Sequence, residues 1–314
     1  GARVAILDSG VDCTHPDLTP NLLLELNASF VPGEGACTTI EDEFNHGTHV
    51  AGTVAAADNG LGTIGVAPEA EIFGVKVLSE FTGSGSFAGI LQGIVYAADA
   101  DADIINMSLG VPGGLPITKD TKELVRAVTR AVMYARRHNA LVIASAGNDA
   151  LNFDDARDED GNRLMAFPGG VQGVVGVSAT APIGWALDPN NTFLDNIASY
   201  SSHGRAVVDV AAPGGDFIYP GDEFCVVAGI RAPCWVFDLV LSTIPGGWSW
   251  SAGTSMAAPH AAGVAALIVG ANGGGEMPAA VLQSALGRGA DDLGDRGFDE
   301  FYGRGRVNAE ESAD

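Results

Sequence analysis

Short runs of β-branched and apolar residues recur along this chain with helix-forming stretches between them, and that alternation constrains the fold more than any other feature. Residues 4–7, 71–77, 104–108, 141–145, 174–178 and 207–211 read as strands. Residues 48–57, 86–98, 121–137, 254–269 and 278–285 carry helical spacing and good helix formers. Strands that are apolar on both faces and separated by helices belong to a parallel sheet covered on both sides. The expected fold is therefore α/β, with a doubly wound, mainly parallel sheet. No tandem repeat and no Pro/Gly/Ser linker divides the sequence, so residues 1–314 read as a single domain. The stretches 151–163 and 214–238 read as surface excursions, and Glu41, Asp42 and Glu43 as part of another exposed loop.

Charge narrows the range of partners. Sixteen Lys and Arg against 39 Asp and Glu give a net charge of −23. Phosphate binding needs a positive field, so a nucleic-acid partner is excluded as an expectation. An acidic surface suits a protein kept soluble by self-repulsion, one adapted to high salt, or one that binds calcium. No apolar run reads as long enough to span a bilayer, and the start at Gly1, without an initiating Met or a signal-peptide pattern, reads as a processed product. Four cysteines, Cys13, Cys37, Cys225 and Cys234, allow three pairings. Proximity in the chain favours Cys225 with Cys234, and hence Cys13 with Cys37, which would suit an oxidising compartment.

Three segments carry chemistry. Asp8 ends an apolar strand and precedes Ser9-Gly10, at the kind of strand end where open parallel sheets gather their ligands. Read alone, such an Asp is as readily a turn former or helix cap. His46 opens a helix in Asn45-His46-Gly47-Thr48-His49. The pair His46 and His49 raises zinc, but the H-E-x-x-H pattern is missing and no third ligand suggests itself, so His49 reads as structural. Ser255, in Gly253-Thr254-Ser255-Met256-Ala257, begins a helix whose amino-terminal N–H groups favour developing negative charge. As an isolated motif it would be an ordinary helix cap.

Taken together and in the order Asp, His, Ser, these segments resemble the three signatures of the subtilisin-like (subtilase) family of serine proteases. The likeness extends along the chain. Asn106-Met107-Ser108-Leu109-Gly110 is similar to the family's strand beside the side-chain pocket, and Gly83-Ser84-Gly85 to the strand that pairs with the substrate backbone. Ser145-Ala146-Gly147-Asn148 resembles the segment whose Asn donates to the oxyanion. Ala211-Ala212-Pro213-Gly214 and Tyr302-Gly303-Arg304-Gly305 match landmarks of the second half. The resemblance implies a subtilisin-like fold and a secreted, extracellular, monomeric endopeptidase acting on proteins or peptides. Asp8, His46 and Ser255 would form the triad, with Asn148 in the oxyanion hole. Gly83, Ser84, Gly85, Ser108, Leu109, Gly110, Ser145, Ala146 and Gly147 would bind substrate, with broad specificity and a preference for large apolar residues before the scissile bond. It also implies a propeptide during maturation and a structural calcium held by Asp17, Asn59 and the carbonyls of Ala57, Leu61 and Thr63. Family members normally supply another calcium ligand from a segment ahead of the first strand, whereas this chain starts almost at the strand. Asp158-Glu159-Asp160-Gly161-Asn162 reads as a solvated acidic loop with the look of a calcium-loop fragment. Two other classes compete. A binding module that keeps the fold without catalysis has no need of all four polar residues, and a lipase or esterase would need G-x-S-x-G, whose second Gly is Ala257 here.

Overall fold

A computed structural model describes residues 1–38, 45–274 and 277–313. The expected loop at Glu41, Asp42 and Glu43 lies outside the described residues. The parallel strands are β1 (Arg3–Asp8), β2 (Ala28–Ser29), β3 (Glu71–Lys76), β4 (Ile104–Met107), and then Leu141–Ser145, Val174–Ala181 and Val210–Pro213. Across the sheet the order is Val210–Pro213, Val174–Ala181, Leu141–Ser145, β4, β1, β3, β2, and Asn196–Ile197 pairs antiparallel with Val174–Ala181. The helices are α1 (His46–Ala55), α2 (Phe87–Asp99), α3 (Lys119–Arg137), α4 (Thr254–Ala271), α5 (Ala279–Arg288) and α6 (Ala309–Ala313).

Side chains that alternate along a strand feed two cores. Val4 and Ile6 of β1 pack with Val50 and Val54 of α1 and the small residues of α4. Ala5 and Leu7 of the same strand pack with Ile94 of α2 and with Val128 and Val132 of α3. The doubly wound arrangement is the one expected from the alternation of elements. From β1 the chain moves to β3 on one side, and from β4 it moves to Leu141–Ser145 on the other. The crevice between β1 and β4 is therefore the switch point at which such sheets place their sites.

Several boundaries differ from the sequence reading. Helix α1 begins at His46 because Asn45, in the left-handed region at φ 42°, turns the chain immediately before it. The last strand is Val210–Pro213 because Val207 and Val208 instead donate their N–H groups to Gly204 O in a turn. By length and mean hydropathy (1.3) α4 does reach the 18 residues a membrane span needs, contrary to expectation. It is 72% buried within the protein and serves as the core helix against which α1 and the sheet pack. The excursion 214–238 carries one hairpin, Phe224–Val227 with Ile230–Pro233, and a second, Val240–Ile244 with Gly247–Ser251, follows it. Disulfides join Cys13 to Cys37 and Cys225 to Cys234, the pairing favoured by chain proximity.

Candidate active site

Asp8, His46 and Ser255 meet at the crevice between β1 and β4. Asp8 is the final residue of β1 and is fully buried. Its Oδ1 lies 2.7 Å from His46 Nδ1 and also accepts the Ser9 N–H at 2.7 Å. A carboxylate held by two donors in a dry site is an anchor for the imidazole. Close packing brings α1 to it: a Cβ on Gly47 would sit 2.1 Å from Gly10 O, and Gly10 itself needs φ +101° to turn under the helix. Gly47 N–H completes the junction by donating to Ser9 Oγ at 3.0 Å.

Ser255 stands in the first turn of α4. Its hydroxyl donates to Ser108 O at 3.3 Å, while Ser108 Oγ donates to Ser255 O at 2.8 Å. Asn106 Nδ2 donates in turn to Ser108 Oγ at 3.0 Å, so the nucleophile segment is fixed to the strand beside it. His46, Asn148 and Ser255 line one cleft of about 550 Å³. Gly83, Ser84 and Gly85 form one of its edges, and Ser108, Leu109 and Gly110 the other. Leu78, Phe87, Ile90 and Phe167 make its floor apolar, and no Asp or Glu lines it among the described residues. Neither edge segment belongs to the sheet: β4 ends at Met107, and residues 79–84 close a turn through Ser79 N–H to Ser84 O at 2.9 Å.

Ser145, Ala146 and Gly147 do not line the cleft. Ser145 ends a strand behind it and donates from Oγ to Leu109 O at 3.3 Å, and Gly147 takes φ +108° to swing Asn148 forward. They hold Leu109 and Asn148, which do line it. The Asn148 Oδ1 accepts both the Thr254 N–H (2.9 Å) and the Thr254 hydroxyl (2.7 Å). With its oxygen held, the amide turns its N–H₂ away from Thr254. Thr254, read from sequence only as a possible helix cap, is thus a positioning residue that sequence reasoning missed. Its place between Gly253 and Ser255 was the available signal.

His49 is structural, as expected. Its Nε2 lies 3.2 Å from both Val240 O and Ser249 O, and burial, aided by neighbouring His46, lowers its pKa to about 4. With Nε2 committed to backbone carbonyls, the ring ties α1 to the hairpin that leads into Ser255.

Two of the residues expected to ligate calcium are joined through the backbone, Ala57 N–H donating to Asp17 O at 2.8 Å. Asp17 is fully buried; its Oδ2 accepts the Trp248 indole N–H at 2.7 Å and the Thr63 N–H at 3.4 Å, while Oδ1 has no hydrogen-bond partner. Asn59 Oδ1 accepts the Leu61 N–H at 2.9 Å, and Ala57 O accepts the Asn59 N–H at 3.0 Å. A bare carboxylate oxygen in a buried site fits a hard cation. No group of three or more His, Cys, Asp or Glu gathers around a common point among the described residues, so such a cation would depend on carbonyls. Trp248 is a further residue that the sequence did not reveal. The Asp158 carboxylate accepts the side-chain and backbone N–H groups of Asn162, both at 2.8 Å, so that acidic loop satisfies itself.

The subtilase family model (peptidase S8) matches residues 1–305. An intracellular serine protease of Paenibacillus polymyxa is 38% identical over 269 residues, 85% of this chain and 66% of its own length. Subtilisin Savinase of Lederbergia lenta is 35% identical, with 99% of this chain and 90% of that protein covered. Other subtilisins are longer, and the chain spans 65% of subtilisin E of Bacillus subtilis. Among solved structures, a lanthipeptide protease superposes with a TM-score of 0.80 at 30% identity, covering 99% of this chain and 87% of that one.

Proposed function

The chain belongs to the subtilase family, and from that premise we propose that it is a serine endopeptidase working through an acyl-enzyme on Ser255. The observation that carries this reading is the 2.7 Å contact of His46 Nδ1 with buried Asp8, on an imidazole that shares one cleft with Ser255 and Asn148. A serine hydroxyl is a poor nucleophile at its own pKa. His46 takes the proton as Oγ bonds to the scissile carbonyl carbon, and Asp8 holds the tautomer and stabilises the imidazolium without accepting the proton. The carbonyl oxygen becomes an oxyanion held by the Asn148 amide and the Ser255 backbone N–H. As the carbon–nitrogen bond breaks, the imidazolium gives its proton to the departing amine. Water, deprotonated by His46, then releases the acyl group.

Substrate would lie extended between the two edges and bind through backbone hydrogen bonds, which favours broad specificity. An apolar floor without acidic groups favours large apolar side chains over basic ones. The whole chain is read as one catalytic domain, acting as a monomer on proteins or peptides after a propeptide has assisted its folding. Two disulfides and the acidic surface support secretion into an oxidising space. Asp17 Oδ1, Asn59 Oδ1 and the carbonyls of Ala57, Leu61 and Thr63 would hold a structural calcium, which would brace the loop between α1 and β3. Hydrolysis of an internally quenched peptide library by the wild type, with none by Ser255→Ala, tests the reading. Equal hydrolysis by both would overturn it, and cleavage mainly after Lys or Arg would overturn the apolar preference.

A further inference from the structure

One carboxylate outside the triad reaches the cleft through a loop. Glu34 stands between β2 and α1, and its Oε2 accepts the Glu80 N–H at 3.0 Å. The Ser79 hydroxyl donates to the same carboxylate, and its oxygen accepts the Phe81 N–H at 3.2 Å. Lys76 Nζ lies further off, 3.5 Å from both Glu34 Oε2 and Glu80 Oε2. Burial works to raise the Glu34 pKa; the Ser79 hydroxyl, the Glu80 N–H and Lys76 outweigh it and hold the group below its ordinary range. The carboxylate is charged, and its bond to the chain just past β3 is shorter than its contact with the lysine. Residues 79–84 form a loop closed on itself, Ser79 N–H donating to Ser84 O and Gly83 N–H to Ser79 O, both at 2.9 Å. Its far end, Gly83 and Ser84, lines the cleft together with Leu78 and Gly85. The base of the loop is pinned beside the triad: a Cβ on Gly85 would sit 2.1 Å from Val77 O, and the Val77 and Leu78 N–H groups both donate to Asp8 O. The segment that carries Glu34 is anchored on either side. Phe30 N–H donates to Lys76 O at 2.8 Å, Thr38 N–H donates to Val11 O at 3.0 Å, and Cys37 is bonded to Cys13. A buried ion cluster adds little net stability over apolar packing, so a charge braced in this way and directed at a loop N–H points to a positional role.

We propose that Glu34 is a positioning residue for substrate binding: its carboxylate fixes the loop 79–84 in the one arrangement that presents Gly83, Ser84 and Gly85 to the peptide backbone. The proposal rests on the peptidase reading, in which the residues ahead of the scissile bond lie along that edge. The tether acts on binding and not on chemistry. A loop released from Glu34 samples arrangements that cannot pair with a peptide, and affinity falls with the population of the competent one. Removing a hydrogen bond to a charged group shifts such a balance by about tenfold or more. His46, Ser255 and Asn148 are held by other contacts, so bound substrate turns over at its former rate.

Two substrates test this. One is a peptide p-nitroanilide with several residues ahead of the scissile bond, and the other is N-acetyl-phenylalanine p-nitrophenyl ester, which has a single one. For Glu34→Ala, KM on the anilide is expected to rise about tenfold with kcat within about twofold of wild type, while KM on the ester moves by less than about twofold. KM does not depend on how much of a sample is folded. Ser79→Ala, which takes one hydroxyl from the Glu34 carboxylate, gives a second reading, with an expected rise of about threefold on the anilide. An anilide KM at the wild-type value in Glu34→Ala, or in Ser79→Ala should Glu34→Ala not fold, would overturn the role. So would an equal rise on the ester, which marks a general loosening of the fold. Hydrolysis of neither substrate by the wild type would instead count against the peptidase reading, and fluorescence anisotropy of the labelled peptide on Ser255→Ala protein then decides the tether separately. Weaker binding when Glu34 is also replaced supports it, and equal binding overturns it.

Discussion

Replacing Thr254 by Val removes one oxygen at nearly constant volume and so isolates the support of the oxyanion donor. In the wild type the Thr254 hydroxyl donates to Asn148 Oδ1 at 2.7 Å and accepts the Gly147 N–H at 3.2 Å. The Thr254 backbone N–H, at 2.9 Å from the same Asn148 oxygen, survives the change. The amide therefore loses one of two tethers and gains freedom to rotate. A neutral hydrogen bond is worth about 0.5–1.5 kcal/mol net, which corresponds to roughly a tenfold fall in kcat at most. Loss of the corresponding donor itself in a subtilisin costs about 10²–10³. Steady-state kinetics on an anilide substrate should give lower kcat with KM unchanged for Thr254→Val, near-wild-type values for Thr254→Ser, and a far larger loss for Asn148→Ala. The double variant Thr254→Val/Asn148→Ala should lose less than the sum of the two single losses, because the Thr254 hydroxyl acts on that amide as well as on the Gly147 N–H. Fully additive losses, or a Thr254→Val enzyme with wild-type kcat, would refute this role.

Three further outcomes are expected. The His49 ring is buried and neutral, with a pKa near 4 against an ordinary 6.5, so the unfolded chain binds its proton first as pH falls. Stability should be unaffected by this group above pH 6.5 and decline by about 3 kcal/mol between pH 6.5 and 4, and urea denaturation of His49→Gln should lose that part of the slope. Trp248→Phe removes a donor to buried Asp17 and should cost about 1.5–3 kcal/mol in chemical denaturation; if calcium braces this loop, excess chelator also speeds thermal inactivation of the wild type, and an unchanged rate excludes it. Lys76 is fully buried, with Nζ 3.5 Å from both Glu34 and Glu80, so Lys76→Met strands two carboxylates and should destabilise the fold by about 3–5 kcal/mol, whereas a stability within 1 kcal/mol of wild type would show that the carboxylates find other partners.

Sequence carried the frame of this fold because its strands are apolar on both faces, a pattern that few solvent-exposed segments imitate. The convergence of Asp8, His46, Ser255 and Asn148 on one crevice was legible for a related reason: each follows a strand or opens a helix that the pattern had already located. Val207 and Val208 misled, since β-branched residues are equally at home in a buried turn beside Phe153. For Ser145 and Gly147 the motif gave neighbours in sequence but not the direction the backbone takes at φ +108°. Contacts made across long separations left no local trace of the partner. Trp248 reaches Asp17 over 231 positions and Thr254 reaches Asn148 over 106. Their side-chain types are common, and only the folded hairpin and helix bring them into range.

Ser255 is read as a nucleophile activated by His46, and every catalytic step above depends on it. Intact-mass analysis after treatment with a small fluorophosphonate, followed by peptide mapping, measures it directly. One adduct per chain is expected, on Ser255, forming at least about 10³-fold more slowly in His46→Ala. A folded wild-type sample that takes no adduct, or takes it on another residue, would contradict it.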